Sequence, residues 1–468
     1  MSEDSTYDYD VVVIGCGMAG LASALAAREG GASVAVLEKA PKKRRGGHTQ
    51  FTESFRIPTS DIELDGVEFD VPDYTPSDFY SDIMKLSHYE SDELMARTVT
   101  QNAAEMFEWI SNYGFEWETQ PPHAGYASGR VWLDGEQFVS EFVDVLEDEG
   151  VDIYYNAPAR HLTQDDTGRV SGVEVKLDDR IVTFEAGSVV LACGGYESDK
   201  EKRTIYYGPG YESMKVRGSR YTTGEAIDAA RDIGAKAEGQ WSGAHMALID
   251  AASPDVEGGI TRVDGYQFGV IVNHNGERFF DEGEDTRDHT YAKLGRIIFE
   301  QPYHEAFIIV DSSRNDLVAH MGESRPITAD SIDRLAERAG IENVEKTVET
   351  LESFNAACDP GEFEPNDLDY NSTTGIEPPK SNWAFPIDEP PYTAYPVTGG
   401  ITFGFGGVGI TEEAEVLDTT DNPIPGLYGA GNSTGGLFYN NYPGGTGLTN
   451  AAVFGMIAGR NAADFVQG

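Results

Sequence analysis

A chain of 468 residues exceeds what a single hydrophobic core usually supports, so we expect at least two domains. Apolar residues make up 40% of the chain, which is typical of a globular protein and argues against disorder. Apolar runs stay below the roughly 18 residues that a membrane-spanning helix needs, and the acidic start at residues 1–10 lacks the pattern of a secretory signal. We therefore expect a cytoplasmic protein that is not embedded in a membrane.

The charge is strongly unbalanced: 80 acidic and 34 basic residues give a formal net charge of −46. A surface this acidic repels itself unless salt screens it, and at about 1 M ionic strength screening acts within ~3 Å. The composition therefore predicts a halophilic protein, adapted to high salt. It also argues against nucleic acid as a partner, because no basic stripe exists to neutralise phosphates.

Residues 9–38 follow the order strand, glycine turn, helix, strand, acid. In the turn, Gly15 allows a sharp reversal, Gly17 lets the backbone approach a pyrophosphate, and Gly20 lets the following helix, predicted over residues 21–29, pack closely on the strand. The N-terminus of that helix can hold phosphates, and Glu38 can accept the ribose hydroxyls of an adenosine. Together these features predict a dinucleotide site.

The later segments favour FAD over NAD as the dinucleotide. After Glu38 the alternating strands and helices of a nicotinamide domain do not continue, and a second glycine-rich loop follows at residues 45–49. Strands that end in small residues recur at 188–195 and 426–432. Residues 444–449 then lead into a helix predicted over 450–465, whose amide-rich start can face the electron-rich end of a reduced flavin.

These segments, in this order and over nearly the whole chain, resemble the flavoprotein subunits of fumarate reductase and succinate dehydrogenase. A likeness to FAD-dependent tricarballylate dehydrogenase is carried by residues 45–47, 280–287 with 291–293, and 437–445. The resemblance implies an α/β fold with a discontinuous Rossmann-like FAD-binding domain, residues 1–240 and 394–468, and an inserted α+β capping domain, residues 241–393.

The motifs and the resemblance together predict the residues that bind FAD. They are Gly15, Gly17, Met18, Ala19, Gly20, Glu38, Lys39, Arg45, Gly46, Gly47, His48, Thr49, Ala159, Ala192, Gly194, Gly195, Thr223, Gly224, Gly431, Asn432, Thr446, Gly447 and Leu448. The three cysteines are far apart and show no metal-binding or haem-attachment spacing, so no metal site is predicted.

The resemblance also implies where catalysis takes place, between the flavin and the cap. It places Arg287 at the arginine that passes a proton to and from a substrate carbon, and His245 at the histidine that holds a substrate carboxylate. An arginine normally keeps its proton, so this role requires a dry site close to other cations. The residues alone leave two alternatives open: a surface Arg287 paired with Asp285 or Asp288, and a buried His245 whose polar atoms are satisfied within the protein.

Three departures from fumarate reductase disfavour fumarate and succinate as substrates. Residues 401–407 lack that family's second substrate histidine, Tyr442 stands where it has a substrate-binding arginine, and Arg262 and Gly265 stand in place of its proton relay. Tyr442 also resembles the tyrosine that donates to a ketone in ketosteroid dehydrogenases.

His48 stands where membrane-bound members of the family carry a histidine bonded covalently to the flavin, whereas soluble members carry asparagine. Covalent attachment of FAD through His48 and a noncovalent hydrogen bond from it to the flavin both stay open.

The predicted function is that of an FAD-dependent dehydrogenase or reductase acting on a CH–CH bond of a small polycarboxylate, with Arg287, His245 and Tyr442 as site residues. One alternative is an enone or ketosteroid-type dehydrogenase that uses Tyr442. Another is a non-catalytic electron-transfer flavoprotein subunit. Because the chain has no haem or iron–sulfur motif, we expect a separate electron-transfer partner or a diffusible acceptor.

Overall fold

A computed structural model describes residues 6–62, 73–122 and 128–468. Its strands are β1 (Thr6–Ile14), β2 (Val34–Glu38), β3 (Ser54–Arg56), β4 (Arg130–Trp132), β5 (Asp152–Tyr155), β6 (Ala159–Gln164), β7 (Val170–Leu177), β8 (Arg180–Leu191), β9 (Lys215–Val216), β10 (Ala237–Asp250), β11 (Val263–Asp264), β12 (Val270–Asn273), β13 (Glu305–Val310), β14 (Ala319–His320), β15 (Ile327–Ala329), β16 (Tyr392–Val408), β17 (Glu415–Leu417) and β18 (Pro423–Gly429). Its α-helices are α1 (Met18–Glu29), α2 (Pro76–Leu86), α3 (Glu93–Ser111), α4 (Gly135–Asp148), α5 (Lys200–Tyr207), α6 (Glu225–Asp232), α7 (Arg287–Phe299), α8 (Ile332–Ala339), α9 (Val344–Ala357) and α10 (Thr446–Gln467).

The larger sheet carries the predicted dinucleotide motif. Its main path runs β17-β18-β8-β1-β2-β5, and the pairs from β18 to β5 are parallel. Residues 11–14 of β1 are buried because neighbouring strands flank them on both edges and helices cover the sheet. The C-terminal ends of β1, β8 and β18 therefore lie side by side, although they come from distant parts of the sequence.

The second sheet is mainly antiparallel and runs β10-β16-β13-β12, with β9 and β15 also paired to β16. The mixed α/β architecture predicted from the sequence is confirmed. The predicted domain boundaries at 240/241 and 393/394 fall inside β10 and β16, which pair with each other. They stay predictions.

Helices α1 and α10 pack tightly against each other and bring their N-termini to the same region. A Cβ added at Gly455 or Gly459 of α10 would collide with the carbonyl oxygen of Ala19 or Ser23 of α1, so only glycine permits this approach. Helix α1 begins at residue 18 and not at 21, and α10 spans residues 446–467 and not 450–465. Both helices thus begin closer to their glycine turns than predicted.

Membrane-crossing helices are absent from the part of the chain that the structure describes: none of its helices is both long and apolar enough.

Candidate active site

One large cavity lies where the two sheets meet the N-termini of α1 and α10. It encloses about 1500 Å³, including space open to solvent, and it is lined by residues as distant in sequence as Ile14 and Ala451. Its lining joins the glycine turn of the dinucleotide motif to His245 and Phe403 of the second sheet, so one cavity connects the two.

The first turn of α1 forms one wall of the cavity and is suited to phosphate. Gly15 adopts a left-handed φ of 109°, and a Cβ at Gly20 would collide with the carbonyl oxygen of Gly15. Helix α1 has no side-chain cap from the described residues and no acid in its first turn. The Met18 amide donates to Thr49 Oγ1 at 2.8 Å, which fixes the second glycine loop on the helix. The positive end of the helix is left to face an anion.

Glu38 lies at the end of β2, next to this wall of the cavity, and is only 6% exposed. Its two carboxylate oxygens accept from the amides of Cys16 at 3.0 Å and Ala40 at 2.7 Å. Each oxygen retains a second lone pair, so the carboxylate can still accept from ribose hydroxyls in the cavity.

Most of the predicted cofactor-binding residues line this cavity: Gly17, Met18, Ala19, Glu38, Lys39, Gly47, His48, Thr49, Ala159, Ala192, Gly194, Gly224, Gly431, Asn432, Gly447 and Leu448. The structure does not place the others in its lining: Gly15, Gly20, Arg45, Gly46, Gly195, Thr223 and Thr446.

The residues outside the lining have structural surroundings that explain their positions. Arg45 donates to Lys42 O at 2.8 Å and to Ser140 Oγ at 3.1 Å. The Thr223 hydroxyl bonds Lys39 and Glu225, and Gly195 lies against the Glu197 carboxylate. These residues support the wall of the cavity on the side that faces away from its interior.

Arg287 lies at the opposite end of the cavity, at the start of α7, and is 1% exposed. Its guanidinium donates to Asp264 at 3.0 Å and 3.2 Å, and it lies 4.0 Å from the centroid of the Tyr291 ring. The alternative of a surface arginine is wrong because Arg287 is buried, although one of its two expected partners, Asp288, does lie within ion-pair distance. Asp288 is buried, 3.7 Å from Arg287 and closer to Arg130, while Asp285 pairs with His289.

Asp264 joins Arg287 to a second buried arginine. Arg262 donates to Asp264 at 3.0 Å and also contacts Glu53, which lines the cavity. Burial alone would raise the pKa of Glu53, but the nearby Arg262 and Arg287 lower it below its ordinary value. Glu53 therefore stays ionised, and together with Asp264 it holds the two guanidinium groups in place.

His245 occupies the same end of the cavity and is uncharged. Burial lowers its pKa well below the ordinary value, and the charges of Arg217, Arg287 and Arg262 lower it further. The ring stacks on Tyr442, with centroids 4.7 Å apart, and neither ring nitrogen has a hydrogen-bond partner among the described residues. Buried polar atoms are rarely left unpaired, so these nitrogens mark a place for a polar ligand.

Tyr442 presents its hydroxyl to the cavity as well. The hydroxyl oxygen accepts from the Gly447 amide at 3.0 Å, at the start of α10. Burial raises the pKa of this phenol above its ordinary value, so it keeps its proton and can donate it in a hydrogen bond.

His48 lies in the cavity wall beside a buried acid, Glu197. His48 Nε2 is 3.1 Å from Glu197 Oε1, and a Cβ at Gly218 would collide with the imidazole ring. Burial lowers the pKa of His48 to about 4 and raises that of Glu197 to about 7. Between these pH values both groups are neutral.

This pair predicts a pH dependence of stability. The pKa of Glu197 rises from 4.5 to about 7 on folding, so the folded protein binds an extra proton between these values. The resulting stabilisation is complete below about pH 4.5 and is lost as pH rises through 7. Relative to Glu197→Gln, which stays neutral, the parent should lose about 3 kcal/mol of unfolding free energy across this window.

Denaturant unfolding of the two proteins with excess FAD, in high salt at several pH values, measures this difference. Glu201→Gln removes an exposed acid and serves as the control. Parallel profiles for the parent and Glu197→Gln would show that Glu197 does not titrate in this range.

Several residues were not predicted from the sequence: Glu53, Arg130, Arg217 and Tyr291, which line the cavity, and Glu197, which lies beside His48. They come from separate segments with no shared motif, and only the fold brings them together. The sequence offers only a weak signal for them, namely that most are charged. Charged residues are seldom buried without a function or a partner, but their burial is visible only in the structure.

The sequence family described as FAD binding domain matches residues 10–448. The chain belongs to this family. NADH:fumarate oxidoreductase of Klebsiella pneumoniae is 26% identical over 98% of the chain, which spans 48% of that relative. Probable fumarate reductase Ifc3 of Shewanella frigidimarina is 29% identical over 97% of the chain, which spans 74% of it.

Solved structures agree with the fold. The open conformation of a flavocytochrome c3 fumarate reductase has a TM-score of 0.74 and 26% identity, covering 99% of this chain and 79% of that one. A 3-ketosteroid Δ1-dehydrogenase from Sterolibacterium denitrificans has a TM-score of 0.78 at 21% identity, with 98% of this chain and 99% of that one covered, which shows the fold alone. The predicted flavoprotein family, FAD cofactor and class of enzyme are confirmed.

Proposed function

We propose that this FAD-dependent oxidoreductase forms or reduces a carbon–carbon double bond in a small polycarboxylate, as a dehydrogenase or a reductase. The observation that carries this proposal is Arg287, a buried cation in the wall of the cavity. The same cavity is bordered by the dinucleotide cradle, which we define as the glycine turn at residues 15–20 together with Glu38. Asp264 compensates the charge of Arg287 within the wall, so it is the position of this cation beside the cavity that supports a role with the substrate.

The cavity fits FAD at its other end. The N-termini of α1 and α10, whose N-cap residues are glycines, would face the pyrophosphate and the flavin, and Glu38 would accept the ribose hydroxyls. When bound, FAD supplies the acceptor or donor of a hydride. The remaining chemistry belongs to the side chains at the Arg287 end.

Four guanidinium groups and one neutral imidazole make this end suitable for carboxylates: those of Arg130, Arg217, Arg262 and Arg287, and that of His245. His245 can donate one hydrogen bond to a carboxylate oxygen, because burial keeps its ring neutral with one N–H. Arg287 would hold or transfer the proton at the carbon that gains or loses it. Arg262 shares the Asp264 carboxylate with Arg287, so the two guanidinium groups lie close together in the wall of the cavity.

Burial supports this assignment, since a dry site strengthens each of these charge interactions. Arg287, His245 and Tyr442 are all less than 5% exposed. An electron-transfer subunit without its own chemistry would have no use for this set of buried groups.

An enone-type substrate is the second candidate, favoured by Tyr442. Its protonated hydroxyl lies in the cavity and could donate to a ketone oxygen. A carboxylic acid is nevertheless the favoured substrate, because the same cavity contains Arg287, Arg262 and Arg217, and a neutral steroid offers no charge to these groups.

A substrate panel tests the proposed function and decides between the candidates. The FAD-loaded protein, without oxygen and in multimolar salt, is mixed with saturated and unsaturated mono-, di- and tricarboxylic acids, and with saturated and unsaturated ketones. Bleaching of the flavin by a saturated polycarboxylate, or reoxidation of the reduced flavin by its unsaturated partner, is the expected result. A response confined to ketones would instead support the role of Tyr442. The tricarboxylic member of the panel tests the finer likeness to tricarballylate dehydrogenase.

We propose that FAD is held without a covalent bond to His48. The Glu197 carboxylate lies 3.1 Å from Nε2, without a hydrogen bond to it among the described residues, and a Cβ at Gly218 would collide with the ring. Protein groups therefore already occupy the space beside this nitrogen. After acid denaturation, the chain should run colourless and non-fluorescent in a gel, with all flavin in the supernatant. A yellow, fluorescent band that disappears in His48→Asn would establish the covalent bond.

A further inference from the structure

Arg217 is one of four buried arginines that line this cavity, and it is held differently from the other three, Arg130, Arg262 and Arg287, which all pair with carboxylates. It follows β9, is 5% exposed, and lines the cavity together with Arg262, Arg287 and His245. Its amide donates to Ile401 O at 2.8 Å and its carbonyl accepts from Gly259 N at 2.7 Å, so the backbone fixes its position beside β16.

The Arg217 guanidinium has only neutral partners. Nη1 donates to Thr402 Oγ1 at 2.8 Å and Nε donates to Gly259 O at 3.3 Å. Across residues 6–62, 73–122 and 128–468, no carboxylate lies within 4.0 Å of it. Burial, followed by the charge of Arg262, lowers its pKa to about 10, so it still carries a full charge near neutrality.

A buried guanidinium without a counter-ion is costly, and the cost falls when an anion binds. Here the space for that anion is the cavity itself. The His245 ring, whose two nitrogens have no hydrogen-bond partner among the described residues, lies close enough to Arg217 for its pKa to be lowered by that charge. A carboxylate is planar and accepts two parallel hydrogen bonds from a guanidinium, so it is the anion that best fits the planar fork of Arg217.

We infer that Arg217 is a substrate-positioning residue that binds a carboxylate of the substrate, one not attached to the carbon served by Arg287. The inference rests on the proposed function and deepens it: the substrate must carry at least one carboxylate beyond the activating group. Arg217 would thereby select polycarboxylates over monocarboxylates.

Binding measured without turnover tests this inference. Flavin absorbance changes and ligand-induced shifts in melting temperature give affinities of propane-1,2,3-tricarboxylate and butyrate for the FAD-loaded parent, Arg217→Gln and Arg217→Lys. Arg220→Gln is the control, because Arg220 lies three positions away, is exposed and pairs with Glu257 at 2.9 Å.

In Arg217→Gln, the preference for the tricarboxylate over butyrate should fall by about 10- to 150-fold, which corresponds to the loss of hydrogen bonds to a charged group. Arg217→Lys should lose at least about 10-fold, because an ammonium cannot bridge Thr402 and a carboxylate as the planar fork does. In turnover, KM should rise far more than kcat falls. The control should behave like the parent.

An unchanged preference in Arg217→Gln would overturn the inference while leaving the proposed function intact. If that variant does not fold, an unchanged preference in Arg217→Lys would overturn it equally. Loss of FAD from a folded variant would assign Arg217 to the cofactor and also overturn the inference. If no carboxylate binds the parent at all, the proposed function fails together with it.

Discussion

Replacing Arg287 with alanine is expected to lower turnover at least about 10³-fold, roughly 4 kcal/mol of barrier, while FAD binding and the fold persist. The guanidinium is the group proposed to hold the proton at the reacting carbon, and nothing else in the wall takes its place. FAD should remain because its cradle lies at the α1 end of the cavity, and the removed side chain contacts Asp264 and Tyr291 instead.

Two further variants separate this role from a structural one. Arg287→Lys should recover little activity, because an ammonium lacks the reach and planar fork that engage Asp264 through two nitrogens. Lys293→Ala removes a cation on the solvent side of the same helix, where it pairs with Glu284, and should leave turnover unchanged. An Arg287→Ala protein that retains FAD and turns over a polycarboxylate within tenfold of the parent would refute the assigned role.

Removing salt is expected to inactivate the protein, and multimolar salt to restore it. With a net charge of −46, repulsion between acidic groups is unscreened in dilute buffer and destabilises the compact state. Many of these groups are fully in solvent; the side chains of Asp179 and Asp255, for example, are 93% and 97% exposed. Screening should therefore act on the surface and leave the buried ion pairs around Asp264 intact.

Melting temperature and turnover measured against potassium chloride concentration check this expectation. Sucrose at equal osmolarity is the control, because it favours compact states without screening charge. Full activity and an unchanged melting temperature in dilute buffer would contradict adaptation to salt. Recovery in sucrose equal to that in salt would show that screening is not the cause.

The dinucleotide cradle could be predicted because its residues lie close together in sequence. Gly15, Gly20 and Glu38 fall within one strand–helix–strand unit, and the geometry of that unit dictates their roles. In this unit the predicted start of α1 is wrong by three residues, because Met18 and Ala19 are already helical directly after Gly17.

The surroundings of Arg287 could not be predicted in the same way. Neighbouring acids suggested Asp285 and Asp288, and Asp288 does lie 3.7 Å from the guanidinium, but its hydrogen-bonded carboxylate is Asp264, 23 positions earlier on β11. Arg217 gave no signal at all, since its distance from the other arginines is set by the pairing of β9 with β16. Contacts between separate segments depend on how the strands pair in the assembled sheets, and short sequence patterns do not reveal that pairing.

The most direct test of the proposed reaction is an anaerobic titration of the FAD-loaded protein, in multimolar salt, with propane-1,2,3-tricarboxylate. We expect that the flavin is bleached and that one unsaturated tricarboxylate forms for each flavin reduced. We also expect that adding the unsaturated acid to the reduced protein reoxidises the flavin and so restores its yellow colour. A flavin that stays oxidised with every saturated polycarboxylate, and stays reduced with every unsaturated one, would contradict the proposed reaction.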